Sequence, residues 1–183
     1  MIDDGQMMHG RDYAGEDLRG WWIGEKLNGV RAYWDGREMW TRGGNRVEIS
    51  DAWRAQLPAL QLDGELYAGV NKFNEAFAAA VYGRFSRVVR FHVFDAPGSG
   101  VFGDRIARAH EAIDQAICAR AEVHFRAVST RDAANYLQTV LVARGEGVIA
   151  RHPENVYAPG RTGHVLKLKA GNRALERAIH STT

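Results

Sequence analysis

The sequence predicts an α+β fold in which antiparallel sheets are flanked by helices. Strand patterns outnumber helical patterns, and the two kinds do not alternate strictly, which argues against a doubly wound parallel sheet. An Asp-Gly pair between two alternating segments also favours antiparallel pairing. The 183 residues are 45% hydrophobic and 25% charged, the composition of one globular domain whose core needs neither disulfide nor metal. We therefore expect residues 1–183 to form a single domain.

The predicted strands are spread along the chain from Trp21 onward. Residues 1–20 are polar with little periodicity, so the ordered core is expected to begin at Trp21. Val30–Trp34 and residues 37–40 alternate on either side of Asp35-Gly36, which predicts a hairpin with a two-residue link. Further strands are predicted at residues 60–67, 88–94, 123–128, 146–151 and 164–169.

Helices are predicted in the segments between these strands. Asp104 is expected to cap one helix, whose apolar residues recur at helical spacing at Ile106, Ala109, Ile113 and Ile117. Ser129 or Thr130 is expected to cap a second helix, with apolar positions at Ala133, Leu137, Val140 and Leu141. Shorter helices are expected at residues 73–81 and 174–179.

Charge and cysteine content restrict the classes of function. The formal net charge of +2 is too small for the whole molecule to act as a polycation on nucleic acid or membrane. Cys118 is the only cysteine, so no intrachain disulfide forms. The chain begins with an acidic, polar segment unlike a signal peptide, and it lacks the run of roughly 18 apolar residues that a membrane span needs. We expect a cytoplasmic protein that does not associate with membranes.

Two short motifs place reactive groups beside a glycine. Glu25-Lys26-Leu27-Asn28-Gly29-Val30-Arg31 puts Lys26 just before a glycine turn that leads into a strand, near tryptophans that could exclude water. A lysine amine is a nucleophile only when it is deprotonated. Asp63-Gly64-Glu65 places two carboxylates around a glycine inside an apolar strand. Taken alone, a solvated lysine near a turn and a solvated strand face explain these motifs more simply.

Two further residues stand at the ends of predicted strands. Phe94 precedes the turn Ala96-Pro97-Gly98, where its ring could stack on a base, although a phenylalanine in such a place is more often part of the core. Glu146 lies between Gly145 and Gly147 at a strand start, where backbone or ligand could approach closely. An ordinary turn carboxylate is the simpler explanation for Glu146.

The segment Val165-Leu166-Lys167-Leu168-Lys169 alternates strictly, so strand geometry puts both lysines on one face and the leucines on the other. Two ammonium groups about 7 Å apart repel each other, and an anion such as phosphate between them would favour the arrangement. An exposed sheet face is the alternative.

These five elements, in this order, resemble the motifs of the ATP-dependent DNA ligases, which belong with mRNA capping enzymes and RNA ligases to the covalent nucleotidyltransferase superfamily. The resemblance covers roughly residues 20–170 and is closest to the compact bacterial and phage DNA ligases. The segment from Lys26 to Arg31 is similar to the K-x-D-G-x-R nucleophile motif, and Asp63-Gly64-Glu65 to the D-G-E motif. The resemblance implies an ATP-grasp-like DNA ligase/mRNA capping nucleotidyltransferase fold, with two mainly antiparallel sheets and flanking helices.

The resemblance also implies a chemistry. Lys26 would attack the α-phosphate of ATP to give lysyl-AMP and pyrophosphate, the AMP would move to the 5′-phosphate of a nick in duplex DNA, and a 3′-hydroxyl would displace it. Such a reaction needs cations and Mg²⁺ around phosphate oxygens rather than a Ser-His-Asp triad. The expected setting is DNA repair, replication or recombination in the cytoplasm of a bacterial or phage-infected cell.

Positions that match the family motifs receive the family roles. The implied contacts to ATP and AMP are Glu25, Arg31 and Glu65 (the last two at the ribose), Phe94 at the adenine, and Lys167 and Lys169 at the α-phosphate. Glu146, with Glu65, would hold Mg²⁺ or Mn²⁺, and Arg42 would meet the 5′-phosphate of the nick. The seven histidines show no metal-ligand spacing, so zinc is not expected.

Two departures from the family pattern qualify this expectation. Asn28 stands where the family motif has Asp, which removes a negative charge near the nucleophile but keeps a hydrogen-bonding side chain. Residues 170–183 are too few for the five strands, each about 5–6 residues long, of the OB-fold domain that follows in this family. We therefore expect a catalytic domain without an OB-fold domain that acts on nicked duplex DNA as a monomer. A separate DNA-binding partner could take the place of the OB-fold domain, but the sequence does not decide this.

Two alternative functions remain open at this point. The first is a noncatalytic module that binds nicked DNA through the arginines Arg42, Arg46, Arg84, Arg87 and Arg90. The second is RNA ligase or capping-type chemistry, which the fuller ligase-like stretch around Lys26 disfavours.

Overall fold

The computed structural model describes residues 4–180, and among these it divides into two compact units. The first unit contains residues 4–7, 28–122 and 156–160, and the second contains residues 8–27, 123–155 and 161–180. In the described residues, no helix is long and apolar enough to cross a membrane.

The strands and helices follow in chain order. The strands are β1 (Met8–Asp12), β2 (Trp22–Lys26), β3 (Val30–Trp34), β4 (Met39–Thr41), β5 (Arg46–Val47), β6 (Leu62–Tyr67), β7 (Arg90–Asp95), β8 (Ala119–Ala121), β9 (Phe125–Arg126), β10 (Gly147–Arg151) and β11 (Gly160–Lys169). The helices are α1 (Asp51–Arg54), α2 (Phe73–Tyr82), α3 (Phe102–Ile113), α4 (Thr130–Val142) and α5 (Arg173–His180), and a 3₁₀ turn covers Asp4–Gln6.

The first unit is built on a six-stranded sheet in the order β5-β4-β3-β6-β7-β8. Its pairs are antiparallel except β7 with β8, which is parallel. Helix α2 contacts β3, β5 and β6, and α3 contacts β7 and β8. The side chains of Trp34, Phe91 and Phe102 are among the largest that are fully buried in this core. Asp95 of β7 is paired inside it with Arg105 of α3, at 2.7 Å from Oδ1 to Nε.

The second unit is built on a five-stranded sheet in the order β1-β11-β10-β2-β9. Strand β10 lies between β11 and β2 and pairs antiparallel with both. The core packs Leu166 and Leu168 of β11 with Leu137 of α4, and all three are buried. Helix α4 begins with a capping box in which Ser129 and Asp132 bind each other's backbone N–H groups. The central place of β10 decides which side chains of its neighbours come together.

The predicted fold class is confirmed, and most of the predicted elements are present. Strands β3, β6, β7, β10 and β11 and helices α2, α4 and α5 lie where the sequence predicts them, within a few residues at their ends. Ser129, one of the two residues predicted to cap α4, is its N-cap. In β11 the leucines are buried, whereas Lys167 is half-buried and Lys169 is exposed, in agreement with the predicted two faces.

The prediction that the ordered core begins at Trp21 is wrong. Strand β1 lies beside β11, and Tyr13 and Leu18 are buried in the core of the second unit. The signal was weak because β1 is a short edge strand that contains Gly10, at which a Cβ would stand 2.8 Å from the carbonyl oxygen of Val165. A strand whose glycine is required by close packing does not show regular alternation.

Three local predictions also need correction. The hairpin link is not two residues long, because Asp35 and Glu38 close a longer loop in which the Asp35 carboxylate accepts hydrogen bonds from the N–H groups of Arg37 and Glu38. Asp104 is not the cap of helix α3, which begins at Phe102 with Val101 as its N-cap. Asp104 lies in the first turn instead, where the helix dipole stabilises its carboxylate. The helix ends before Ile117, and strand β9 covers only part of residues 123–128.

Candidate functional site

Three of the four lysines of the chain meet on neighbouring strands of the second unit. Lys26 ends β2, and Lys167 and Lys169 lie at the end of β11, on the two sides of β10. In the register of the sheet, Gly147 of β10 is paired with Lys26 on one side and with Lys169 on the other. Residues paired across antiparallel strands have neighbouring side chains. Two lysines that lie far apart in sequence therefore flank the same residue.

The carboxylate of Glu146 bridges these two lysines. Lys26 Nζ donates to Oε2 at 2.6 Å, and Lys169 Nζ lies 2.9 Å from Oε1. Burial opposes ionisation of Glu146, but the hydrogen bonds and charges of the two lysines prevail and hold its pKa below the ordinary value. The side chains of Lys26 and Glu146 are only 22% and 25% exposed, so this pair is shielded from solvent more than a surface ion pair.

Lys167 completes a group in which positive charge is in excess. Burial lowers the pKa of Lys167, and the nearby positive charges of Arg161, Lys26 and Lys169 lower it further, whereas Asp12 acts in the opposite direction. Lys26 and Lys169 thus bind one carboxylate, and Lys167 lies near enough to both for their charges to act on it. Such a group suits a ligand with several negative oxygens, because a phosphate can accept charge-assisted hydrogen bonds from more than one ammonium.

Close packing requires glycine on both sides of Glu146, because a Cβ at either position would clash with a neighbouring residue. A Cβ on Gly147 would stand 2.4 Å from the carbonyl oxygen of Leu168, inside the pairing with β11. A Cβ on Gly145 would stand 2.6 Å from Val140 and 3.0 Å from Oε1 of Glu25. The backbone on both sides of Glu146 is therefore pressed against its neighbours, which fixes where its carboxylate points. The second contact also places Glu25 of β2 against the turn that precedes Glu146.

A second group of predicted residues lies in the first unit and is organised by Asp63. Its carboxylate, with 1% of its side chain exposed, accepts from Arg31 Nε at 3.0 Å and from Arg31 Nη2 at 2.6 Å. The hydroxyl of Tyr157 donates to the same carboxylate at 2.7 Å. Burial disfavours the charge on Arg31, but Asp63 prevails and raises the pKa of Arg31. A buried, bidentate pair of this kind holds the guanidinium in one orientation.

Glu65 and Phe94 lie next to this pair on the same sheet. Glu65 pairs with Arg31 across β3 and β6, and its carboxylate accepts from the N–H of Gly29 at 3.1 Å. A Cβ on Gly29 would stand 2.2 Å from the carbonyl oxygen of Leu66, so the close approach of this loop to β6 requires glycine. The guanidinium carbon of Arg31 lies 5.6 Å from the centroid of the Phe94 ring. The structure thus brings Arg31, Glu65 and Phe94 together.

Arg42 lies at the start of the turn between β4 and β5 and is exposed. Its backbone N–H donates to the carbonyl of Arg31 at 3.3 Å, so the turn is anchored next to the Asp63 group. An exposed arginine on a short, anchored turn has a defined place while its guanidinium remains accessible.

The sequence did not show two of the interactions that define these groups. From the sequence, Asp63 belongs to a motif without a role of its own, and Tyr157 has no assigned role. The shared carboxylate of Glu146 could not be read from spacing, because the residue is 120 positions from Lys26. Among the described residues, no group of three or more His, Cys, Asp or Glu side chains is arranged to hold a metal ion.

Known proteins resemble the chain in sequence and in structure. No protein-family model matches it. A DNA ligase of Haemophilus influenzae is 29% identical over 163 residues, which cover 86% of this chain and 60% of that ligase. A solved structure of a Lig E DNA ligase superposes with a TM-score of 0.81 and 25% identity, over 90% of this chain and 68% of that one. The chain has the nucleotidyltransferase fold of compact DNA ligases. The predicted resemblance to this family is confirmed.

A more distant solved structure shares the same fold. The ATP-dependent DNA ligase of bacteriophage T7, solved in complex with ATP, superposes with a TM-score of 0.65 and 13% identity, over 92% of this chain and 69% of that one. At this identity the likeness concerns the fold alone. The chain spans about three fifths of the Haemophilus ligase, so only a part of that protein has a counterpart here.

Proposed function

We propose that this chain carries the adenylation activity of an ATP-dependent DNA ligase and that Lys26 is its nucleophile. The observation that carries the proposal is the position of Lys26 Nζ, which lies 2.6 Å from the carboxylate that Lys169 also binds. A lysine in a half-buried group of cations, on a fold shared with DNA ligases, fits the attack of an amine on a phosphate. The similarity to the Haemophilus and Lig E ligases supports the same function.

The proposed step forms one bond and breaks another at the α-phosphorus of ATP. The deprotonated Nζ of Lys26 bonds to phosphorus, the bond from phosphorus to the α–β bridging oxygen breaks, and pyrophosphate leaves. The nitrogen, which then carries two hydrogens and a positive charge, gives one proton to water, and the product is a lysyl-AMP phosphoramidate. Lys167 and Lys169 neutralise the phosphate oxygens as charge moves to the leaving group, which is the main contribution that a protein makes to phosphoryl transfer. Glu25, on the same strand as Lys26, contributes to nucleotide binding.

Residues of the first unit are proposed to bind the adenosine part of the nucleotide. Arg31 and Glu65 hold the ribose, and their positions are fixed by Asp63 and by the N–H of Gly29. Phe94 stacks on adenine, a contact that contributes on the order of 1–3 kcal/mol when an aromatic side chain stacks on a base. In the later steps AMP moves to the 5′-phosphate of nicked duplex DNA, which Arg42 contacts, and a 3′-hydroxyl displaces it.

The residues fit a divalent metal that completes its coordination with substrate oxygens. Mg²⁺ is commonly bound by one or two carboxylates together with phosphates and water, so it does not need a cluster of protein ligands. Glu146, the carboxylate beside Lys26, is the proposed metal ligand of the second unit. Bound Mg²⁺ or Mn²⁺ would neutralise phosphate charge during the transfer.

The intact mass of the protein after incubation with ATP and Mg²⁺ tests this proposal. We expect a gain of one AMP in the wild type, none in Lys26→Ala, and an undiminished gain in Lys72→Ala. Lys72 is the matched control because it is the one lysine of the chain outside the cationic group. An adduct that persists in Lys26→Ala, or a folded wild type that never gains mass, would contradict the proposal. Sealing of a nicked duplex then tests the later steps separately.

A further inference from the structure

The outer face of α2 carries exposed aromatic rings that the proposed ligase chemistry does not use. Phe73 and Phe77, one helical turn apart, are each 41% exposed, and Tyr82 at the end of the helix is 62% exposed. The ring centroids are 6.2 Å apart between Phe73 and Phe77, and 6.1 Å apart between Phe77 and Tyr82. Contiguous apolar groups on a protein surface commonly mark a binding site. Three neighbouring exposed rings on one short helix therefore indicate that this face binds a partner.

The chain segment that contains α2 is rich in positive charge. Residues 69–90 contain four basic residues, Lys72, Arg84, Arg87 and Arg90, and one acidic residue, Glu75. This segment therefore carries a net charge of +3, more than the +2 of the whole chain. The guanidinium carbon of Arg84 lies 5.5 Å from the centroid of the Tyr82 ring, so charge and aromatic surface are in direct contact. A partner of this face is thus expected to be both aromatic and anionic.

We propose that this face binds an unpaired polynucleotide strand. We call it the α2 face and define it by Phe73, Phe77 and Tyr82 with Lys72, Arg84 and Arg87. Unpaired bases stack on exposed aromatic side chains while basic residues contact the phosphodiester backbone. Within a duplex the bases cover one another at about 3.4 Å per step. The planes of Phe77 and Tyr82 are nearly perpendicular, at 79°, so bases that stack on both rings cannot stay parallel to each other as they do in a duplex. An apolar protein surface would gain nothing from the excess charge.

The proposal does not depend on the reaction at Lys26, which lies in the second unit. The full chain would be titrated into fluorescent oligonucleotides of about 12 nucleotides, within the site sizes known for single-strand binding. Oligo-dT and oligo-rU serve as the unpaired strands. A blunt duplex of equal length is added as a competitor for the same face. Fluorescence anisotropy over a range of salt concentrations measures affinity, and AMP adduct formation is measured on the same samples.

Substitutions at Phe77 separate stacking from simple apolar contact. We expect Phe77→Ala and Phe77→Leu to weaken single-strand binding by a similar factor, roughly tenfold, because leucine keeps an apolar side chain but offers no ring for stacking. Tyr82→Trp should retain binding. The control Phe125→Ala removes a ring that is 36% exposed in the second unit and should change nothing. All of these variants should still form the AMP adduct to the same extent as the wild type.

Arg84 tests the electrostatic part of the same face. Arg84→Ala should reduce the dependence of log affinity on log salt by about 0.7, the contribution of one phosphate contact on a single strand. Arg19→Ala, at a side chain that is 76% exposed in the second unit, is the control and should leave the slope unchanged. The proposal is overturned if unpaired strands do not bind, if the duplex competes equally, or if Phe77→Leu binds as well as the wild type. That last result would indicate an apolar partner, such as a second copy of the chain.

Discussion

Replacing Asp63 by Asn is expected to lower the free energy of unfolding by about 3–5 kcal/mol, the cost of removing one partner from a buried ion pair. The carboxylate is 1% exposed and accepts three hydrogen bonds, two from Arg31 at 3.0 and 2.6 Å and one from Tyr157 at 2.7 Å. Asparagine has the same shape but lacks the charge. Its NH₂ group, which can only donate, replaces one of the two carboxylate oxygens that accept from Arg31 and Tyr157. The Arg31 guanidinium, itself 19% exposed, would remain without the charge that stabilises it.

Urea unfolding followed by tryptophan fluorescence measures this loss. For a chain of this size, each kcal/mol of unfolding free energy corresponds to about 2–4 °C in Tm, so the Tm of D63N should fall by roughly 6–20 °C. Tyr157→Phe alone removes one hydrogen bond to a charged acceptor and should cost about 1.5–3 kcal/mol. In the double variant this second cost should largely disappear, because the charged acceptor is already gone. A loss below about 1 kcal/mol for D63N, or strictly additive losses, would refute the account of Asp63 as the organising group.

Three further outcomes are expected. Glu146→Gln should reduce AMP adduct formation and make the protein lose less stability in acid. The folded-state pKa of Glu146 is lowered, so its stabilisation is present above the ordinary pKa of 4.5 and is lost as pH falls through the folded-state pKa. Urea unfolding midpoints measured from neutral to acid pH would show the difference. Gly147→Ala should cost about 1–3 kcal/mol through overpacking against the carbonyl of Leu168, whereas Gly163→Ala on β11, whose nearest contact is 3.4 Å away, should be tolerated in the same unfolding assay. Ser129→Ala should lower the Tm through the loss of about 1 kcal/mol from the cap of α4; an unchanged Tm would contradict the capping box.

The parts of the fold that the sequence predicts well are those with a local physical signal. Alternation marks the end of β11, and a capping residue before a helical apolar pattern marks α4. Strand β1 and the two-residue strand β9 depend on pairing with distant segments, and neither shows a period of its own. The start of α3 was misplaced because a carboxylate in the first turn and a carboxylate at the N-cap are both favourable to a helix, so Asp104 alone does not decide between them.

The site divides in the same way. The motif around Lys26 and the alternation that includes Lys169 could be seen in the sequence, but the meeting of these two lysines at Glu146 depends on β10 lying between β2 and β11. Strand order is a long-range property that residue patterns do not encode directly. The sequence suggested that an anion between the lysines of β11 would stabilise them, and the structure supplies a carboxylate for one of them, Lys169.

Mapping the position of the AMP on the protein tests the central claim most directly. The protein would be incubated with ATP labelled either at the α-phosphate or at the γ-phosphate, digested, and the labelled peptide sequenced by tandem mass spectrometry. We predict label from the α-phosphate alone, joined through a phosphoramidate to the Nζ of Lys26. Label on Lys72, Lys167 or Lys169, or retention of the γ-phosphate on the protein, would contradict the assignment of Lys26 as the nucleophile.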